Sequence, residues 1–227
     1  MAASGNGSAR QLQRGGASGS LPPMKQKQGT KETLVTKGTE AGTASGFIPA
    51  HGGYEKLLSY QKALVVYDAT LHFCGRFIDK RSRTHDQMVQ AARSGKQNIL
   101  EGSEASGLSK ETEIKLTGVA KASQKELLED YRDFMRNRGI EEWAPDHPYA
   151  RRLRQLIRTP GAKYQTFKKG IEHSNPAIAA NVIAGLIKVT CYLLDKQIRR
   201  LERDFVKEGG LRERMTRARL GNRSNSQ

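Results

Sequence analysis

The chain has 227 residues, of which 39 are Lys or Arg and 23 are Asp or Glu, so its formal net charge is +16 at pH 7. This length suits one domain of ordinary size, and the basic excess favours an acidic partner, usually nucleic acid, although charge that serves only solubility is the alternative. Two cysteines, Cys74 and Cys191, exclude a disulfide-dense domain and favour a reducing, cytoplasmic location.

The first 50 residues predict a disordered arm. They are rich in Gly, Ser, Ala, Thr, Lys and Gln, and they hold six basic and two acidic residues. So few large apolar side chains cannot offset the entropy of ordering. No signal peptide is expected, because the apolar residues are scattered.

A first helix is predicted from near Tyr54, with apolar residues that step by three and four. This seam consists of Leu57, Tyr60, Leu64, Tyr67, Leu71, Cys74 and Ile78, and it is widened by Val65, Ala69, Phe73 and Phe77. Such spacing is typical of a helix in a bundle. The seam is therefore expected to face the core.

The second and third helices are predicted from their capping residues. Thr84, with Gln87 three residues later, predicts the start of the second helix, and the glycines of residues 102–107 predict its end. Small side chains in its middle predict a close helix crossing: Ala91, Ala92, Ser94 and Gly95. The third helix is expected to begin after Ser109 and to end at Arg138 and Gly139.

An insert with one short helix, around residues 149–157, is predicted between the third and fourth helices. The fourth helix is expected to follow a cap at Ser174 or Asn175, with Pro176 in its first turn, and to end near Gly209 and Gly210. No segment alternates like a strand. The prediction is an all-α antiparallel four-helix bundle over residues 51–210, with an insert at 140–174 and a basic tail at 211–227.

The outer face of the fourth helix changes from apolar to basic along its length. A helix that is apolar all round must be buried all round, so the first half predicts a packed core plus a second protein surface on the outer side, which carries Ile178, Val182, Val189 and Leu193. A membrane span over residues 177–194 is not expected, because Asn181 and Lys188 interrupt it and a central lysine costs about 2.5 to 3.5 kcal/mol.

The second half of this helix predicts a nucleic-acid interface. Its basic stripe and the start of the tail comprise Lys196, Arg199, Arg200, Arg203, Lys207, Arg212 and Arg214. Cations spaced along a rigid helix can neutralise successive phosphates of RNA or DNA, with weak sequence preference. The alternative is a solvated face, since Asp195, Glu202 and Asp204 flank the stripe.

Patterns typical of enzymes are lacking in this sequence. The glycines of residues 102–107 have the spacing of a phosphate-binding loop, but Leu108 stands where the lysine belongs. No histidine follows a glutamate at the spacing that carboxylate-bridged metal bundles use. We therefore predict no catalytic residue, no metal site and no cofactor.

A further pattern resembles a known group of small bacterial four-helix-bundle proteins. The residues that carry it are Arg93, Ser94, Asn98, Ile99, Glu101, Gly102, Ser109, Lys110, Ala120, Ser123 and Glu126. The group includes the products of intervening sequences in large-subunit ribosomal RNA genes and the accessory variability determinant of diversity-generating retroelements. Over roughly residues 52–218 the chain resembles its longer branch, which carries a suffix region.

This resemblance implies a homopentameric ring with a basic surface for nucleic acid and, in the retroelement branch, a reverse-transcriptase partner. In such a ring the apolar outer side of the fourth helix, with Ile178, Val182, Val189 and Leu193, would be the oligomer interface. The motif residues themselves are interpreted as structural: Asn98, Glu101 and Gly102 at the end of the second helix, and Ser123 and Glu126 in contact with Asn98 or Arg93. The predicted function is a non-enzymatic, homo-oligomeric accessory protein that binds nucleic acid. The alternative is a protein-interaction scaffold whose charge is incidental.

Overall fold

A computed structural model describes residue 48 and residues 51–224, all within the unit Ala44–Gln227. In these residues seven α-helices follow a 3-10 turn at Tyr54–Lys56, and no strand occurs. The helices are α1 (Leu58–Phe77), α2 (Arg83–Ala105), α3 (Lys110–Arg136), α4 (Pro148–Arg158), α5 (Tyr164–Ile171), α6 (Pro176–Glu208) and α7 (Leu211–Ser224). The all-α prediction is confirmed, whereas the predicted disordered arm lies outside the described residues except for Ile48.

Two of the predicted helix caps are confirmed and one is wrong. The Ser109 hydroxyl accepts a hydrogen bond from the Thr112 N–H at 3.1 Å, and the Asn175 side chain accepts one from the Ala177 N–H at 2.8 Å. Helix α2 is capped by Ser82 instead of Thr84, because Ser82 is the last residue with extended backbone before the helical turn begins.

The predicted seam of α1 faces the core only in part. Cys74 of the seam and the residues that widen it, Val65, Ala69 and Phe73, are buried, as is Val66 beside them, whereas Leu64 and Leu71 are 38% and 41% exposed. Both faces of α1 are apolar, and the face covered by α2 and α6 carries the smaller or β-branched residues that allow close packing. The seam residues Leu57, Tyr60 and Tyr67 are half-buried.

Four long helices contact one another in cyclic order: α1 with α2, α2 with α3, α3 with α6, and α6 with α1. The predicted close crossing lies between α2 and α3, where a Cβ on Gly95 would stand 2.2 Å from Gln124 Nε2. Helix α2 ends at Ala105, within residues 102–107 as predicted, but Gly102 itself is helical and buried. A Cβ there would come within 3.4 Å of the Glu113 carbonyl oxygen, so this glycine brings the two helices together.

The motif residues between α2 and α3 form a short polar chain. Asn98 Nδ2 donates to the Ser94 carbonyl at 2.9 Å and to its hydroxyl at 3.1 Å, and the Ser94 and Ser123 hydroxyls are 2.9 Å apart. The predicted pairing of Ser123 with Asn98 therefore runs through Ser94. Glu126 is exposed, as are Arg93 and Glu101, and it takes no part in this chain.

The insert contains two helices, α4 as predicted and α5 in addition. Both pack on the first half of α6: a Cβ on Gly185 would stand 2.5 Å from Leu153 Cδ2, and one on Gly170 would stand 2.9 Å from Val182 Cγ2. The buried Lys62 of α1 donates a hydrogen bond to the Ala162 carbonyl at 2.7 Å, between α4 and α5. The insert thus covers α6 from the side that the bundle helices leave free.

Candidate nucleic-acid interface

The basic stripe of α6 is exposed over its whole length, from Lys196 to Lys207. Only Arg200 has an acidic neighbour within the helix, Asp204, with Nε and Oδ2 3.5 Å apart. Asp195 is taken by Lys121 of α3. Among the described residues, Arg199, Arg203 and Lys207 are in no ion pair, so most of the stripe keeps its charge available to a ligand.

The predicted tail forms helix α7, in which Arg212 and Arg214 have different surroundings. Gly209, at φ 73°, ends α6, and Gly210 N–H donates to Glu213 Oε2 at 2.9 Å, which caps α7. Arg212 is exposed. Arg214 is half-buried and donates to the Gly107 carbonyl at 3.3 Å. Arg214 therefore leaves the predicted interface, because its guanidinium anchors α7 to the turn between α2 and α3.

The residues predicted as an oligomer interface lie mostly beneath the insert. Ile178 and Val182, the latter only 7% exposed, line a cavity under α4 and α5. Val189 lines a smaller cavity beside α4, and Leu193 is half-buried. The insert of the same chain thus covers part of the apolar half of α6, while Ile178, Val189 and Leu193 stay partly exposed.

A second basic surface, which the sequence patterns did not predict, lies on the insert. Residues 148–172 carry one acid, Glu172, and seven exposed cations: Arg151, Arg152, Arg154, Arg158, Lys163, Lys168 and Lys169. Lys168 is the only one of these with a carboxylate within 4 Å among the described residues. Charge counted by segment would have found this surface, since its acids are fewer than those of the α6 stripe.

Three aromatic rings form a cluster at the edge of this basic surface. Trp143 stacks on His147 with 5.1 Å between ring centroids and 5° between planes, and Tyr149 lies 5.3 Å from Trp143. The cluster is fixed to α6 by Asn181, which is 4% exposed. Asn181 Oδ1 accepts from the Trp143 N–H at 2.7 Å, and its Nδ2 donates to the Glu141 carbonyl at 3.0 Å.

Ion pairs also hold the segment that carries Trp143 against α3 and α6. Glu142 forms ion pairs with Lys188 of α6 and with Arg132 of α3. Burial acts to raise the pKa of Glu142, but the hydrogen bonds from these two cations outweigh it and leave the pKa below its usual value. Lys188, which interrupts the apolar half of α6, is therefore a link to the insert.

The chain matches no protein-family model, no curated protein and no solved structure. The resemblance to bacterial four-helix-bundle proteins accordingly depends on the motif residues alone.

Two further features concern metal ions and membranes. In residues 48 and 51–224, no group of three or more His, Cys, Asp or Glu side chains is placed to hold a metal ion. One helical segment in this part of the chain, Pro176–Ser224, is long and apolar enough to cross a membrane, and 61% of its most apolar stretch is buried inside the protein. Burial of this kind is ordinary for a core helix.

Proposed function

We propose that this chain is a non-enzymatic, cytoplasmic protein that binds nucleic acid through the exposed stripe of α6. The observation that carries the proposal is that Arg199, Arg203 and Lys207 are exposed, regularly spaced and free of ion pairs among the described residues. Cations at such positions neutralise phosphates and release counterions. Lys196 Nζ lies 4.9 Å from the centroid of the exposed Tyr192 ring and so occupies a ring face on which a base could otherwise stack. We therefore expect contacts to backbone phosphates instead of stacking on bases.

The experiment is a mobility-shift titration of a short DNA duplex at two salt concentrations. The variant Arg199→Glu/Arg203→Glu/Lys207→Glu is compared with Lys80→Glu/Arg81→Glu/Arg83→Glu, which makes the same charge change on exposed residues of the link between α1 and α2 and the first residue of α2. The first triple should weaken binding at least tenfold and reduce the salt slope by about 0.9 for each phosphate that is no longer neutralised. Equal effects of both triples, or no binding by the wild type at low salt, would contradict the proposal.

The finer fold assignment is that α1, α2, α3 and α6 form an antiparallel four-helix bundle that carries α4 and α5 as an insert. The cyclic helix contacts and the short links between α1 and α2 and between α2 and α3 support it. The family resemblance, with its pentameric ring and reverse-transcriptase partner, stays a prediction.

The proposed self-association is better located on α1 than on α6. Leu57, Tyr60, Leu64, Tyr67 and Leu71 form an apolar stripe that the chain itself leaves partly exposed. Its seven-residue repeat is typical of helices that pair along a seam. An oligomer would multiply a weak basic stripe through avidity. The same stripe is the observation that favours the alternative function, a protein-interaction scaffold.

Light scattering tests the location of this contact. Leu64→Glu/Leu71→Glu should dissociate the oligomer, whereas Val206→Glu, at a residue 85% exposed on α6, should leave it intact. A monomeric wild type at micromolar concentration contradicts self-association. A monomer that still binds duplex DNA keeps the nucleic-acid proposal, and an oligomer that binds none favours the scaffold.

A further inference from the structure

A half-open cavity of about 450 Å³ lies between α4, α5 and α6. Pockets that hold small organic groups usually measure about 300 to 1,000 Å³. Apolar side chains from the three helices form the interior: Leu153, Leu156, Phe167, Ile178 and Val182. This space is large enough for a planar aromatic ring and lies outside the α6 stripe.

One wall of the cavity is aromatic and fixed in place. Trp143 and Tyr149 line it; the Trp143 ring stacks on His147, and the hydrogen bond from the Trp143 N–H to Asn181 fixes the backbone that carries the ring. Because these contacts exist without a ligand, little side-chain freedom is lost when a ring stacks there. Stacking on such a ring is favourable for every base, because each base has a π-face.

The rim of the cavity is cationic. Arg152 of α4 and Lys169 of α5 line it, and neither is in an ion pair among the described residues. His173 lies beside them, and its Nδ1 accepts from the Asn175 N–H at 3.0 Å, which places the proton of the neutral ring on Nε2. An apolar interior with donors at its rim suits a flat aromatic group that carries an anion, as a nucleotide does.

The cations beyond the rim indicate that the ligand is a nucleic-acid strand instead of a free nucleotide. Arg151, Arg154, Arg158 and Lys163 lie on the same helices and their link but do not line the cavity. Arg152 and Lys169 alone could neutralise one phosphate, whereas this wider surface fits several. A base can enter the cavity only when it is unpaired, so a duplex is excluded.

We propose that the insert binds single-stranded nucleic acid, with one unpaired base in the cavity against Trp143 and its phosphates on Arg152 and Lys169. The inference depends on the proposed function for the class of ligand, and it adds a second site with a different preference. The α6 stripe takes the backbone of any nucleic acid. The insert selects the single strand.

Trp143 is the only tryptophan of the chain, so its fluorescence reports directly on this cavity. The wild type is titrated with a twelve-nucleotide oligothymidylate, with a duplex of the same length and with thymidine monophosphate. The oligonucleotide should quench the emission at concentrations at least tenfold below those of the mononucleotide, and the duplex should leave it unchanged. Equal responses to mononucleotide and oligonucleotide contradict the strand, and quenching by the duplex contradicts the cavity.

Variants then separate this site from the stripe. Ile178→Phe, or Thr166→Phe if the first fails to fold, fills the cavity and should abolish the quenching while duplex binding stays within twofold. Arg152→Glu/Lys169→Glu should weaken quenching by the oligonucleotide at least tenfold, and the matched control Lys80→Glu/Arg81→Glu should not. A correctly folded filled variant that still quenches overturns the inference and leaves the proposed function standing.

The triple variant of the α6 stripe gives the converse result. It should lose duplex binding and keep the quenching by oligothymidylate at low salt. Failure of the duplex experiment with quenching intact overturns the stripe alone. Failure of both, with a folded wild type, overturns both proposals.

Discussion

The two basic surfaces of this protein differ in charge balance, regularity and shape. Residues 194–224 hold ten cations and five acids on two helices, whereas residues 148–172 hold seven cations and one acid on two shorter ones. The first surface repeats at helical spacing along one long helix, so its pattern is visible in the sequence. The second is stronger in net charge per residue but lies on short helices around Pro160. Regular helical spacing makes the first surface recognisable in the sequence, whereas the second can be found only by counting charge segment by segment.

The shapes of the two surfaces differ as well. The α6 stripe is the outer side of a helix and has no enclosed space. The insert has a cavity whose aromatic wall is tied to α6 through Asn181. Both surfaces therefore depend on α6, one on its exposed end and the other on its buried half. Variants that disrupt only the insert, or only the exposed end of α6, test whether the two surfaces are independent of each other.

Phe73→Ala is expected to have the largest effect and to disable both surfaces together. Phe73 is fully buried, with ring centroids 4.9 Å from Tyr131 and 4.8 Å from Phe134. Removal of a buried Phe side chain costs about 3 to 5 kcal/mol. Urea unfolding should show this loss, and Leu71→Ala on the exposed side of α1 should cost less than about 1 kcal/mol. Equal losses would show that the exposed side of α1 contributes as much to the core as Phe73 does.

Leu153→Ala is expected to loosen the insert selectively. Leu153 is buried against Gly185 of α6, and a Leu-to-Ala change at such a site costs about 2 to 5 kcal/mol. Limited proteolysis should then cut within residues 144–172 first, while the α6 stripe still binds duplex. Leu220→Ala on α7, where the side chain is exposed, is the control. Simultaneous loss of insert and stripe would show that the two surfaces unfold as one unit.

Lys62→Met should change the pH dependence of stability by a smaller amount. Burial lowers the pKa of Lys62 from 10.5, so the unfolded chain binds more protons just below pH 10.5 than the folded chain does. The free energy of unfolding of the wild type should therefore rise with pH in that window relative to the variant. Loss of the hydrogen bond to Ala162 adds a cost of about 1 kcal/mol at all pH values. Parallel pH profiles would contradict a buried, protonated lysine.

Arg212→Gln and Arg214→Gln should separate binding from stability with the smallest effects. Arg212 is exposed, so its replacement should reduce the salt slope for duplex binding by at most about 0.9 without a change in stability. Arg214 donates to the Gly107 carbonyl, so its replacement should lower the free energy of unfolding by about 1 kcal/mol with an unchanged slope. A reduced salt slope with unchanged stability for Arg214→Gln would place Arg214 in the proposed nucleic-acid interface.

In the resemblance motif, some features follow from the local sequence and others depend on tertiary packing. The sequence predicts a polar contact between two helices at Asn98 and Ser123, and the structure adds Ser94 as the link between them. The sequence also predicts that Gly102 ends α2, because a glycine near a helix end often adopts left-handed backbone. The actual role of Gly102, a close approach to α3, depends on a partner helix that no local pattern reveals.

Spacing along the chain is enough to predict the long helices, the caps at Ser109 and Asn175, the end of α6 at Gly209 and the change along α6 from apolar to basic. These features depend on neighbours within a few residues. Packing between distant segments decides which apolar face of α1 is buried, how the insert covers Val182, and where the cavity beside Trp143 lies. No local pattern could decide these points, because two apolar faces of one helix are equivalent until distant segments arrive to cover one of them.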